Sequence, residues 1–146
     1  MYVKLFNQTI KVVQDENRIT SMFFSDEKNV EFDVENEIQK QIKEYEDGNR
    51  KEFNLPLHLI GTEFQKQVWN ALLEIPFGET RTYQEIAIRI GKPKALRAVG
   101  GACNRNPIGI IIPCHRVIGK NGSLTGYAGG LFYKELLLKH EKDGKL

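Results

Sequence analysis

Apolar and polar positions alternate at the start of the chain. Val3 and Leu5, then Ile10, Val12 and Val13, then the run Ile19 to Phe24 are β-favouring stretches and predict short strands over residues 1–24. Asp15-Glu16-Asn17 marks a turn between two of them. The period then changes. Ile38, Ile42 and Tyr45 fall at i, i+4 and i+7 with Glu and Lys elsewhere, which predicts an amphipathic helix over 35–47, stopped at Gly48-Asn49. Residues 53–60 hold Pro56 and read as an extended connector, in which His58 is a packing residue rather than a ligand. Thr62 is placed to cap a second helix. Phe64, Val68, Leu72 and Ile75 make its stripe, Trp69 and Leu73 widen it, and Pro76-Phe77-Gly78 ends it. At that spacing Trp69 reads as core and not as an exposed stacking platform.

Tyr83, Ile86, Ala87 and Ile90 share one side of a short helix, Gly91-Lys92-Pro93 is a tight turn, and another helix follows over 94–104. Helix, glycine-containing turn, helix is the helix-turn-helix pattern. The later helix is rich in small residues: Ala95, Ala98, Gly100, Gly101 and Ala102. Two glycines weaken a helix by about 1 kcal/mol each, so their presence needs a reason. Small residues let a helix backbone approach another surface closely, either a neighbouring helix or an external partner. Ile108 to Ile112, broken only by Gly109, reads as a buried strand that Pro113 terminates. A last helix is expected over 131–142, with Glu135, Lys139 and Lys142 on its polar side. The pattern predicts an α/β chain of the α+β kind. A small strand-and-helix scaffold over 1–60 packs on a mainly helical subdomain over 61–146 that contains the helix-turn-helix.

Composition adds little until charge is mapped. The 146 residues are 40% hydrophobic and carry a net charge of +2, ordinary for a globular protein. No apolar run approaches the roughly 18 residues that span a membrane. The polar N-terminal stretch does not read as a signal peptide. Two cysteines make no disulfide framework, so a reducing, cytoplasmic compartment is the expectation. Residues 1–60 hold 8 Lys and Arg against 12 Asp and Glu, whereas residues 61–146 hold 13 against 7. Within 80–120 eight basic residues face one acid, Glu85. That asymmetry points to a polyanionic partner for the second half; the plainer reading is a solvated basic face.

Candidate chemistry sits at Pro113-Cys114-His115-Arg116. A thiol beside an imidazole, mounted where an element stops at a proline, is a plausible nucleophile site, although an isolated Cys-His pair is more often inert packing. A thiol with an ordinary pKa of about 8.5 needs a base at neutral pH, and His115 is the candidate. Adjacent side chains of extended backbone point opposite ways, so a direct Cys114–His115 contact is not expected and a bridging water is. Glu141 falls off the polar stripe of the last helix, beside Leu137 and Leu138, and a carboxylate aimed at the core needs a partner, for which His115 is the candidate. Cys103 lies in the small-residue helix with no adjacent base and reads as structural. Two cysteines and three histidines show no zinc spacing, and Gly126 to Gly130 lacks the flanking elements of a nucleotide-binding loop, so neither metal nor cofactor is expected.

The Cys-His stretch, with Thr82-Tyr83-Gln84-Glu85-Ile86-Ala87, Arg97-Ala98-Val99-Gly100-Gly101-Ala102, Asn106-Pro107, Gly126-Tyr127-Ala128-Gly129-Gly130-Leu131 and Lys139-His140-Glu141, resembles the O6-alkylguanine-DNA alkyltransferase family over roughly 61–142. The resemblance implies single-turnover transfer of an alkyl group from O6-alkylguanine, or alternatively O4-alkylthymine, in double-stranded DNA to Cys114. It implies a relay in which Glu141 orients His115 and His115 acts through water on Cys114. It assigns Tyr83 as donor to the leaving guanine and Asn106 as a hinge between the small-residue helix and the thiol. Carbonyls of Cys114 and Val117 and the amide of Ala128 would read the base edges, with Tyr127 and Gly129 lining the pocket. The helix would lie in the minor groove, with Arg97 filling the place of a flipped nucleotide. Ala95, Ala98 and Gly100 would face DNA, and Thr82, Lys94 and Arg105 would complete that surface. Leu96 is bulkier than the alanine some relatives carry there. A monomer is expected, and the resemblance leaves cooperative assembly on DNA open. Two rivals differ in class: a lesion-binding sensor without transfer, and a cysteine hydrolase of small molecules.

Overall fold

The computed structural model describes residues 1–124, 127 and 130–144. The chain divides into two compact units, Met1–Leu59 and Ile60–Leu146.

The first unit is a three-stranded antiparallel sheet with one helix. β1 (Tyr2–Leu5), β2 (Gln8–Asp15) and β3 (Arg18–Phe24) pair in sequence order. Leu5 opposes Gln8 and Asp15 opposes Arg18, so both hairpins turn on two residues. Phe6, Asn7, Glu16 and Asn17 all take positive φ, the geometry of the two-residue turn that matches strand twist. α1 (Glu37–Glu46) is capped by Asn36, whose side chain accepts from the Gln39 amide. Its expected stripe of Ile38, Ile42 and Tyr45 is buried, and Gly48 stops it at φ 80°. The connector after α1 is extended as expected, and Leu57 bridges Ile19 of β3.

The second unit is mainly helical. α2 (Glu63–Leu73) and α3 (Tyr83–Arg89) each begin with a capping box, Thr62 with Gln65 and Thr82 with Glu85. The reciprocal bonds satisfy two amides the helix cannot satisfy itself. α4 (Leu96–Asn104) starts two residues later than the pattern predicts, and its N-cap residue Ala95 makes no side-chain cap. α5 spans Leu131–Gly144. Two residues of β4 (Arg81–Thr82) pair in parallel with two of β5 (Val117–Ile118). Trp69 is core, as its spacing predicts: it is buried and its indole N–H donates to the Ala102 carbonyl at 2.9 Å, tying α2 to α4. A Cβ on Gly61 would lie 2.7 Å from the Trp69 ring, so glycine is required there. Leu73, in contrast, is exposed and does not widen the α2 stripe.

The strand expected over 108–112 does not form. Ile108, Ile110, Ile111 and Ile112 are buried, but the backbone folds on itself, with the Ile112 amide donating to the Ile108 carbonyl at 3.0 Å and the Ile111 amide to Gly109 at 2.8 Å. Asn106 clamps both ends: its Oδ1 accepts from the Ile108 amide at 2.9 Å and its Nδ2 donates to the Ile112 carbonyl at 2.8 Å. Ile110 sits at φ 73°, strained for a β-branched residue. Burial therefore produces the same apolar run that a strand would, while the side-chain clamp supplies the partners a sheet would otherwise provide. The following residues, Cys114–Arg116, form a 3-10 turn rather than extended backbone.

Candidate active site and nucleic-acid interface

The clamp positions the thiol. Asn106 Nδ2 also donates to Cys114 Sγ at 3.1 Å, so one amide holds the loop closed and fixes the sulfur. Cys114 is only 5% exposed. Burial pushes its thiol up to about 11, against the Asn106 hydrogen bond and the charge of Lys134. The resting site therefore holds a protonated thiol, and it needs a base to become a nucleophile.

His115 is fully buried. Its Nε2 lies 2.7 Å from Glu141 Oε2, so the expected partnership forms, on a 3-10 turn rather than on extended chain. A carboxylate accepts only, so Nε2 carries the proton and Nδ1 is the basic nitrogen. That Nδ1 is buried and has no hydrogen-bond partner among the described residues, and therefore no direct bond to the thiol. Burial lowers the His115 pKa, with Glu141 opposing, and the ring is neutral near pH 7.

Arg116 is the residue the charge map misplaces. Counted there with the basic surface, it is buried. Its Nε donates to Glu141 Oε1 at 2.7 Å, its Nη2 to Oε2 at 3.0 Å, and its Nη1 to the Ile75 carbonyl at 2.7 Å. Burial works against a charge on Glu141, but the flanking His115 and Arg116 outweigh it and hold the carboxyl below its ordinary range. With His115 neutral, the bidentate guanidinium is the cation that keeps Glu141 ionised. Lys134 of α5 is not singled out by its pattern either. It is buried, and its Nζ donates to the Val117 carbonyl at 2.6 Å. Burial lowers its pKa while Cys114 and Cys103 raise it, which places a cationic group within electrostatic reach of the thiol. Both residues look like solvated charges in a sequence; only a third dimension distinguishes them. Val117 is buried, with its carbonyl already accepting from Lys134. Tyr127 has its hydroxyl pKa pushed up by burial and by the charges of Cys114 and Glu141, so it lies near the cluster. Ala128 and Gly129 lie outside the described residues. Cys103 is buried and its thiol is pushed up to about 12, chiefly by burial.

A second set of expected residues gathers on one surface. Thr82, Tyr83, Lys94, Arg97 and Gly100 line a groove of about 1040 Å³. Gln84, Leu96, Gly101, Asn104 and Lys120 complete it. Among these described residues stand three cations and no carboxylate. Ala98 and Arg105 are exposed and Ala95 is half-buried, but these three do not line the groove. The basic stretch is thinner than its count: Arg89 pairs with Glu74 and Arg81 with Glu79. The glycines of α4 are not explained by internal packing. A Cβ on Gly100 or Gly101 would meet nothing within 4 Å among the described residues. The buried face of α4 is instead Val99, Ala102 and Cys103. Among the described residues no three His, Cys, Asp or Glu side chains gather as a metal site. No helix among them is long and apolar enough to cross a membrane.

Residues 63–143 match the family model described as 6-O-methylguanine DNA methyltransferase, DNA binding domain. The chain belongs to the O6-methylguanine-DNA methyltransferase family. The methylated-DNA–protein-cysteine methyltransferase of Methanosarcina barkeri is 63% identical over 107 residues, covering 73% of this chain and 68% of that protein. The constitutive enzyme of the same name from Bacillus subtilis is 49% identical over 130 residues, covering 81% and 79%. The likeness extends to architecture. The crystal structure of Mycobacterium tuberculosis OGT in complex with DNA superposes with a TM-score of 0.84 at 41% identity, covering 93% of this chain and 88% of that one. The mixed α/β fold is the family's.

Proposed function

We propose that this protein repairs DNA directly, moving an alkyl group from the O6 oxygen of guanine in a duplex to Cys114, once per molecule. The observation that carries this reading is the chain of contacts Cys114–Asn106 and His115–Glu141–Arg116 around a buried thiol. The neutral His115 Nδ1 takes the Cys114 proton through a bridging water. The sulfur then attacks the alkyl carbon, forming the S–C bond as the C–O6 bond breaks. The electron pair stays on the guanine, and the Tyr83 hydroxyl stabilises it. Glu141, kept anionic by Arg116, stabilises the imidazolium as it forms. Lys134 favours the thiolate by its charge. The thioether is a poor leaving group, so the acceptor is consumed.

A target atom inside a duplex cannot reach a thiol that is 5% exposed, so the nucleotide is flipped out. α3, the Gly91 turn and α4 act as the helix-turn-helix. The glycine face of α4 lies in the minor groove, and Lys94 and Lys120 meet phosphates. Arg97 stacks in the vacated place, where a flat guanidinium can also hydrogen-bond to the orphaned base.

Chromatography of the DNA tests this. An O6-methylguanine duplex mixed with limiting protein is expected to yield unmodified guanine in amount equal to the protein, and none with Cys114→Ser. Tight lesion-selective binding with unchanged DNA would make the protein a sensor instead.

A further inference from the structure

The groove face of α4 carries one large side chain that neither the alkyl transfer nor the protein's own core uses. Leu96 is 44% exposed in the first turn of α4, beside Arg97, and both line the groove. Four residues further along each row stand Gly100 and Gly101, where added Cβ atoms would find open space. The helix therefore presents bare backbone at its middle, with Leu96 and Arg97 projecting at its N-terminal end and the short amide Asn104 at its C-terminal end. Arg97 is flat and cationic; Leu96 is branched and apolar. A leucine in a groove rimmed by Lys94, Arg97 and Lys120 faces the partner those cations attract.

We propose, on the reading of α4 as the DNA-facing helix, that Leu96 is an apolar wedge that favours the flipped state of the target nucleotide. As the glycine face settles into the groove, Leu96 presses on the base step flanking the target and loosens its stacking. Leucine is among the side chains that intrude between base steps. Having no hydrogen-bonding atom, it reads no sequence and acts alike whatever base flanks the lesion. The two neighbours have separate roles. Leu96 eases the emptying of the stack, and Arg97 occupies the place once it is empty.

Leu96→Ala and the volume-conserving Leu96→Met test this against the parent protein. A duplex with 2-aminopurine at the target position reports unstacking by its fluorescence. The rate of methyl transfer from duplex O6-methylguanine, divided by the rate from the free O6-methylguanine base, isolates the flipping step. Leu96→Ala is expected to reduce the fluorescence gain at saturating protein and to lower the rate ratio about tenfold, with Leu96→Met restoring most of both. An unchanged ratio in Leu96→Ala overturns the wedge, because a structural role slows both substrates alike and an idle surface leucine slows neither. A parent protein that does not bind the duplex at all would overturn the DNA-facing reading of α4 together with the wedge.

Discussion

Burial keeps His115 neutral, and the charge of Arg116 adds to that effect. The Arg116 fork holds both oxygens of Glu141, and its charge opposes a second cation on the neighbouring buried imidazole. Arg116→Met keeps the length and removes the charge. Glu141, without the guanidinium, then draws a proton onto His115, which destroys the basic Nδ1. The expected result is a His115 ring that titrates at higher pH by nitrogen NMR, and a transfer rate lowered by about tenfold or more. Removing one partner of a buried pair is also expected to destabilise the fold by about 3–5 kcal/mol in a denaturant titration. Arg116→Lys, which keeps charge but loses the fork, should fall between. The Glu141–His115 pairing is legible in the sequence, because a carboxylate on the apolar side of a helix needs a partner. Arg116 and Lys134 are not, since nothing in their neighbours separates a buried cation from a solvated one.

The helices are legible where caps and stripes agree. Thr62 and Thr82 start α2 and α3 where expected, each through a reciprocal capping box. The path of segment 108–112 is not, because an apolar run records burial and not backbone direction. The information lies in Asn106, whose clamp is a local side-chain device rather than a periodic signal. For α4 the sequence leaves two explanations of the glycines, and open space around Gly100 and Gly101 removes the internal one. Stability and DNA binding should then respond in opposite directions. Gly100→Ala and Gly101→Ala should each raise stability by about 0.5–1 kcal/mol in thermal melts, since helix propensity improves and nothing clashes. Both should weaken duplex binding, measured by titration of a labelled oligonucleotide, and Gly100→Leu should weaken it further. Glycines that were equally dispensable for stability and for DNA would contradict the close approach of this face.

Across the molecule, the site ties its own unit together. Glu141 comes from α5, His115 and Arg116 from the 3-10 turn, and Ile75 from just beyond the C-cap of α2. Protonation therefore acts on packing as well as on chemistry. His115 has a folded pKa below its ordinary 6.5, so as pH falls the unfolded chain takes up the proton first. Its contribution is whole above 6.5 and shrinks below it. Glu141 is likewise depressed below its ordinary 4.5, so its contribution is present above 4.5 and is lost as pH falls further. Stability should decline in two stages on acidification, each with a limiting slope of about 1.4 kcal/mol per pH unit, and His115→Gln should remove the first stage. The charge asymmetry between halves is legible at this scale, but which cations are already paired is not, because ion pairs such as Arg89–Glu74 form between segments distant in sequence.

Everything proposed for the site requires that Cys114 become the permanent owner of the alkyl group. The decisive measurement is intact-protein mass spectrometry after incubation with excess O6-methylguanine duplex. The expected result is a gain of about 14 Da, the replacement of a thiol proton by a methyl group. It should map to the peptide holding Cys114, reach one per molecule and no more, and be absent from Cys114→Ser. Unchanged mass while the DNA is demethylated, or a methyl group on Cys103, would contradict it.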